Sequence, residues 1–436
     1  MREPPSDPGQ QMWGWAQDLF PICRSLTGPG VRQTLEYLAR LLPELVIHAV
    51  PTGTQAFDWV VPDEWTIRDA YVADESGRRV IDFQKSNLHV LGYSEPVDKW
   101  VDREELEQHL FSLPDQPDAI PYATSYYRRR WGFCLSHNDR QKLTDRRYRV
   151  VIDSDLAPGV LNYGELIIPG SERHEILLST YICHPSLANN ELSGPVVTTA
   201  LAQWLKGLKK RRFTYRLIFI PETIGAIVYL SRHLELLKQR TIAGYVVTCV
   251  GDDRAYSYLA SRKGGTLADR AAVYALSRHA GHFERYSFLA RGSDERQFGS
   301  VGADLPVCSI MRTRYGTYPE YHTSLDDMSL ITPPGLAGGF AAIRKALTAI
   351  ELNRTFVANF PCEPHYSKYG LKGSLVGGQG IPEEQRLISD LVAYSDGTMD
   401  LIALSEVFGC DIEDLARVAT LLVDRGILSM RDNQAR

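Results

Sequence analysis

No run of 18 or more apolar residues occurs in this 436-residue chain, so no segment is expected to cross a bilayer as a helix. No C-x-x-C pair occurs among its seven cysteines, which are odd in number and scattered from Cys23 to Cys410. That argues against a zinc ribbon or a disulfide framework and points to reduced thiols in a cytoplasmic protein. The start, MREPPSDPGQ, is polar and proline-rich, unlike a signal peptide. Positive charge is not in excess: 48 Lys and Arg face 53 Asp and Glu, for a net charge of −5. A broad nucleic-acid surface is therefore not expected, and neither is a membrane partner. Internal repeats and low-complexity tracts are absent as well.

What remains is ordinary soluble-protein text, 44% hydrophobic and 23% charged, in a chain long enough for two or three domains. Residues up to about Pro51 read as helical, with FPICRSLTGPG interrupting. From Thr52 to about Val150 the text turns aromatic and proline-rich. AYVADESGRRVIDF there reads as two strand-like pieces around a Gly turn. From about Val160 to Leu352 strands alternate with helices: EILLSTYI, GPVVTTALAQWLKGLKK, FTYRLIFI, GAIVYLSRHLELLKQ, GYVVTCV, LPVCSIM and PPGLAGGFAAIRKALTAIEL. Such alternation predicts an α/β domain with a mostly parallel sheet sandwiched by helices. The expected division is 1–51 with 151–360 for the α/β domain, 52–150 for an inserted β-rich domain, and 361–436 for a linker and a C-terminal domain.

On that map the polar residues cluster. His184, Glu222, Asp252 with Asp253, and His322 all follow strand-like segments, at the edge where open α/β sheets build their sites. Two imidazoles with one or two carboxylates suit zinc, which takes nitrogen and oxygen ligands and leaves a position open. Glu222 then suits a proton carrier between water and a leaving amine. Each residue also has a plainer reading. His184 suits a hydrogen-bonded loop histidine, Glu222 a helix-start carboxylate, and Asp252 or Asp253 a turn after Gly251.

The chain resembles the aminopeptidase-like branch of the zinc exopeptidases, the superfamily of bacterial leucyl aminopeptidases and glutamate carboxypeptidase. Within it, the chain is similar to a bacterial group found near polysaccharide and natural-product biosynthesis genes, with an inserted domain and a winged-helix-like C-terminus. The resemblance runs through FPICRSLTGPGVRQTL, GTQAFDWVVPDEW, SNLHVLGYSEPV, SYYRRRWGFCLSH, YICHPSLANNELSGP, PETIGAI, GSDERQF and YPEYHTSLDD. It implies that His184 is a metal ligand, that Glu222 is the general base, and that His322 is the terminal ligand. It places the later strand-end ligand on Asp252, or on Asp253 if the register slips. The bridging aspartate of the superfamily falls on Asn190, with Glu191 beside it, and the second carboxylate of the Glu-Glu pair falls on Thr223. An amide oxygen cannot neutralise two dications. One zinc ion on His184, Asp252 and His322, assisted by the Asn190 oxygen or a shifted Glu191 carboxylate, is therefore expected rather than two.

Further candidates are Asp326, as a support for His322 or a cap on the next segment, and His137, entering the cleft from the insertion or purely structural. Tyr315 and Tyr318 either flank substrate or pack their loop. Arg24 and Ser25 read as pocket lining or a structural turn. Arg128 to Arg130, after Tyr126 and Tyr127, suit anionic or ring-bearing ligands or a solvated edge. Asp294 and Arg296 suit an ion pair holding the site loop. The C-terminal segment has winged-helix rhythm, yet acids outnumber bases roughly two to one, so packing or homo-oligomerisation is expected instead of DNA binding.

Three functions compete. The leading one is a metal-dependent hydrolase cleaving an amide of a short peptide or amino-acid conjugate. The others are a metal-dependent biosynthetic enzyme that is not a peptidase, acting on a small molecule, and a binding protein on a decayed peptidase fold.

Overall fold

The segment Glu175–Tyr181 is buried at every position, as befits a strand covered on both faces. In the computed structural model, which describes residues 7–371 and 382–431, it lies inside an eight-stranded sheet. In sheet order the strands are Val46–Pro51, Val160–Ile168, Thr214–Ile220, Glu175–Tyr181, Thr241–Val246, Val307–Met311, Ser257–Leu259 and Glu284–Tyr286. The middle four run parallel, so their carboxyl ends share one edge. The flanks include antiparallel pairs, which makes the sheet mixed. Helices Ser193–Gly207 and Ile224–Arg240 connect the central strands. Most of the former is buried, more than one apolar face would require.

Two details were not apparent from the sequence. Val46–Pro51 is an edge strand of the large sheet, not the end of a helical region. Val50 is its one fully buried side chain, so the alternation that marks a half-buried strand is missing. Gly194 opens its helix hard against the sheet. A Cβ there would meet the Val247 carbonyl oxygen at 2.3 Å and the Thr180 hydroxyl at 2.4 Å. The Ser-Gly after Glu191 is thus a packing requirement as well as part of a motif.

The β-rich region forms its own four-stranded antiparallel sheet, from Glu64–Ala73, Arg79–Asp82, Val97–Asp102 and Arg147–Ala157. The first two make a hairpin. Asp74 accepts from the backbone N–H groups of Ser76 and Arg78, and Gly77 takes φ +87°. The last strand runs past residue 150 to Ala157 before the chain enters the large sheet.

The chain divides into two compact units. One comprises residues up to Asp269 together with Phe283–Ala341, and holds both sheets above. The other comprises Arg270–His282 and the residues from Ala342 onward. It contains a three-stranded sheet, ordered Asp396–Asp400, Thr355–Ala358, Leu428–Met430, and helices Glu383–Tyr394, Leu401–Phe408 and Ile412–Asp424. Gly409 turns between the last two helices in the left-handed region, and Ile412, Leu415, Val418, Ala419 and Leu422 form one buried face. This is a winged helix-turn-helix. Residues 372–381 of the expected linker lie outside the described residues.

Candidate active site

The site is built where three parallel strands end. Beyond Tyr181 the chain passes through Ile182 and Cys183 to His184, then into a single π-helical turn, Ala188–Leu192, which carries Asn189, Asn190 and Glu191. This turn folds Glu191 back onto His184. Its Oε2 lies 2.6 Å from His184 Nδ1, and both side chains are buried. Arg24 lies beneath them. It donates to the His184 carbonyl oxygen at 2.9 Å and sits 3.9 Å from Glu191 Oε1. Burial opposes a charge on His184, but the Glu191 carboxylate and its hydrogen bond outweigh that, and the pKa rises.

His184 Nε2 faces Glu222 Oε2 at 3.6 Å. Burial pushes the Glu222 carboxyl up, with His184 pulling the other way. The backbone that presents Glu222 is strained. Thr223 sits at φ 64°, ψ −76°, and Ile224 N–H donates to the Glu222 carbonyl oxygen at 2.8 Å. Together these make a γ-turn of the rarer hand. Asp294 accepts from Thr223 N–H at 2.7 Å, and Arg296 donates to the Thr223 hydroxyl at 2.5 Å, so the N–H and the hydroxyl of Thr223 are both tied down. The Cys183 thiol accepts from Glu222 N–H at 3.1 Å. Burial, then the Glu222 charge, raises the Asp294 carboxyl well above its usual range.

His322 completes the group. Its ring centroid is 5.3 Å from that of His184, and Tyr122 packs edge-on to both. Its backbone is also strained, at φ 58°, and its carbonyl oxygen accepts from Tyr122 N–H at 2.8 Å. Burial, then the neighbouring His184, pushes its pKa down to about 3, so the imidazole stays neutral as a ligand must. A cavity of about 580 Å³ opens here, lined by His184, Glu222, Thr223, Arg296 and His322 on one side. Trp59, Tyr122, Tyr126 and Tyr127 come to it from the β-rich region.

The other expected residues fall elsewhere. Asp252 is committed: its two oxygens accept from Asn189 Nδ2, Thr313 N, Thr313 Oγ1 and Arg254 N, at 2.7–3.0 Å. Four donors occupy both oxygens of this carboxylate, and Asp252, expected as a ligand, does not line the cavity with His184 and His322. Asp253 faces another depression, bonded to the Thr332 hydroxyl. Asp326 neither orients His322 nor merely caps the following segment. It accepts from the Asn189 and Asn190 N–H groups at 2.6 and 3.0 Å and so locks the π-turn. His137 pairs with Ser112, away from the cavity lining. Tyr315 packs its loop, donating to Glu295 at 2.5 Å. Glu191 serves as the partner of His184 Nδ1. Tyr122, Trp59 and Cys183 escaped the sequence reading, because neither an aromatic ring nor a lone thiol marks a metal or proton-transfer site by residue type.

Metal chemistry can be tested against these donors. Among the described residues, one cluster has three possible ligand atoms in mutual reach: Cys183, His184 and Glu191. It is the inside of the site. Glu191 already holds His184 Nδ1, and burial keeps the Cys183 thiol protonated. On the cavity side, His184 Nε2 and the His322 ring make no hydrogen bond among the described residues. Asn190, on the π-turn and outside the cavity lining, keeps a buried Oδ1 without a partner. Two imidazoles and one amide oxygen fit a single divalent ion with an open position. The glutamate behind His184 is the usual outer support of such a ligand. Asp252 is already held by four donors, and Thr223 carries no charge.

A mixed sheet with this group at the carboxyl ends of its parallel strands defines the aminopeptidase-like fold of the zinc exopeptidases. Residues 13–353 match the family described as domain of unknown function DUF4910, and the chain belongs to it. Residues 354–430 match a winged helix-turn-helix family. A Clostridium acetobutylicum protein is 41% identical over 418 residues, covering 96% of this chain and 95% of its own. Its provisional name refers to polysaccharide biosynthesis and an aminopeptidase-like domain. A crystal structure from that organism, described provisionally as a peptidase, superposes with a TM-score of 0.89 at 39% identity, covering 97% and 96% of the two chains. A zinc aminopeptidase from Bacillus subtilis shares the fold at TM-score 0.59 and 11% identity, over 79% of this chain and 95% of its own.

Proposed function

We propose that the protein is a hydrolase of amide bonds in small substrates, working with one divalent ion, zinc by donor type, held by His184 and His322 with the Asn190 oxygen. The observation that carries this reading is the His184 imidazole, fixed by Glu191 on one nitrogen and 3.6 Å from the Glu222 carboxylate on the other. When bound, the ion supplies Lewis acidity to the amide carbonyl. The chain's own groups do the rest. Glu222 takes a proton from the attacking water at Oε2 and returns it to the departing amine, and burial places its pKa upward, as a group that must both accept and release needs. The γ-turn at Thr223 fixes the approach of that carboxylate. Tyr122 covers one side of both imidazoles and holds their rings in place.

A second reading is supported by the name of the clostridial relative: the amide belongs to an amino sugar or other biosynthetic intermediate instead of a peptide. One panel addresses both. Amine or acid release is measured from dipeptides, N-acyl amino acids and N-acyl amino sugars, with Glu222→Gln as control. Hydrolysis of one class, lost in the variant, supports the reading and selects the substrate. No hydrolysis by the zinc-loaded protein, or hydrolysis that survives Glu222→Gln, rejects it.

A further inference from the structure

We infer that the substrate of this site is an anion, its negative group held by Arg296 and its ring laid against Trp59 and Tyr127. This rests on the reading of the cavity as the place where substrate binds.

Arg296 lines the cavity and is exposed. Among the described residues it makes no ion pair; its hydrogen bond goes to the neutral Thr223 hydroxyl. Other arginines around the site are spoken for. Arg24 is buried beneath Glu191, and Arg129 pairs with Asp63 at 3.2 Å. Glu222 and Asp294 both feel the Arg296 charge, but neither comes within ion-pair distance. The tether matters. Thr223 is pinned by its own N–H to Asp294, so the guanidinium hangs from a rigid turn next to Glu222. Holding one N–H bond to a hydroxyl leaves the remaining donors of the planar fork for a carboxylate or phosphate, the groups it matches best. An anion there lies beside the group that handles the proton, so the charge sits close to the amide that is cut.

The β-rich region supplies a ring platform to the same cavity. Trp59 and Tyr127 are 38% and 50% exposed although both are large and aromatic. They meet edge to face at 5.8 Å. Their faces carry partial negative charge and attract the polarised C–H groups of a sugar or the edge of an aromatic ring. A volume of about 580 Å³ takes a molecule of a few rings and no polymer. A small acid with one amide and one ring satisfies all of these. The anion has two possible sources, a carboxylate on an amino-acid conjugate or a phosphate on an amino sugar.

The test uses two matched pairs of probes on the full-length, zinc-loaded Glu222→Gln protein, by calorimetry. N-acetylphenylalanine is set against its neutral amide, and N-acetylglucosamine 1-phosphate against N-acetylglucosamine. In at least one pair the anion should bind about tenfold tighter or more, the size of one charge-assisted contact. The pair that discriminates identifies the source. Arg296→Gln should bring the two members together, Arg296→Lys should restore part of the gap, and Thr223→Val should narrow it by freeing the guanidinium. Equal affinities in both pairs, no binding of any probe, or a preference that survives Arg296→Gln would each overturn the inference. Hydrolysis plays no part in the readout, so a failed substrate panel and a failed anion test are separate results.

Discussion

The Nδ1 of His184 and the Oε2 of Glu191 lie 2.6 Å apart, with the pair sealed from solvent and Arg24 underneath. The glutamate that follows the two asparagines is therefore not a displaced ligand. It fixes the tautomer of His184, leaving Nε2 toward the cavity and Glu222. Glu191→Gln retains the acceptor but removes the charge. Zinc affinity should fall by about 10–100-fold, the usual effect of losing such a support, which zinc titration calorimetry would show. Glu191→Ala should also lower stability by about 3–5 kcal/mol, because Arg24 is left buried without its carboxylate. An unchanged affinity in Glu191→Gln would mean that the pair serves packing alone.

Asp252 separates the observed site from the superfamily pattern. Asp252→Ala removes the acceptor for four donors from three parts of the chain. Stability should fall by about 2–4 kcal/mol, judged by leaving buried donors unmade. Zinc stoichiometry should not change. A urea melt and a metal assay on one preparation check both, and loss of zinc from the folded variant would restore Asp252 as a ligand.

Asn190→Asp probes the unpartnered oxygen. The amide Nδ2 now donates to Tyr181 at 2.7 Å, while Oδ1 is buried without a partner. In metal-free protein the new carboxylate is buried beside Asp326 and should lower stability by about 1–3 kcal/mol. With zinc present the sign should reverse, because a charged oxygen binds a dication better than an amide does. Thermal unfolding with and without zinc measures both. The same direction of change in both conditions would place Asn190 away from the ion.

How much of this was legible in the sequence varies residue by residue. His184, Glu222 and His322 could be found, because each follows a hydrophobic strand and the ends of parallel strands share an edge. Asp252 follows a strand just as plainly. What removes it from the cavity is saturation by Thr313 and Asn189, about sixty residues away in sequence, which no local pattern carries. The aromatic wall was invisible for a similar reason: Trp59, on a two-residue strand, and Tyr122, in a loop, reach the cavity through the tertiary packing of the β-rich region. The large sheet was legible in its central strands, which are continuous apolar runs. It was not legible at the edge strand Val46–Pro51, where one side chain is buried.

Thr223 stores strain at φ 64°. Thr223→Gly should relieve about 1 kcal/mol of it, raising the denaturant midpoint, while freeing Arg296 and lowering affinity for any anionic ligand. A variant that is less stable than the parent would show that the hydroxyl tether to Arg296 outweighs the strain.

The winged unit should leave duplex DNA unbound at physiological salt. Arg417, the basic residue on helix Ile412–Asp424, is paired with Glu384 at 2.7 Å, and acidic residues dominate its surroundings. Fluorescence anisotropy with mixed-sequence duplexes checks this. Salt-dependent binding at micromolar protein would contradict it.

The metal content of the purified protein tests the central claim most directly. Elemental analysis after zinc loading and desalting should give one zinc per chain, falling to near zero in His184→Ala and in His322→Ala and staying at one in Asp252→Ala. Two ions per chain, no zinc in the parent, or zinc retained without both histidines would contradict the single-ion site.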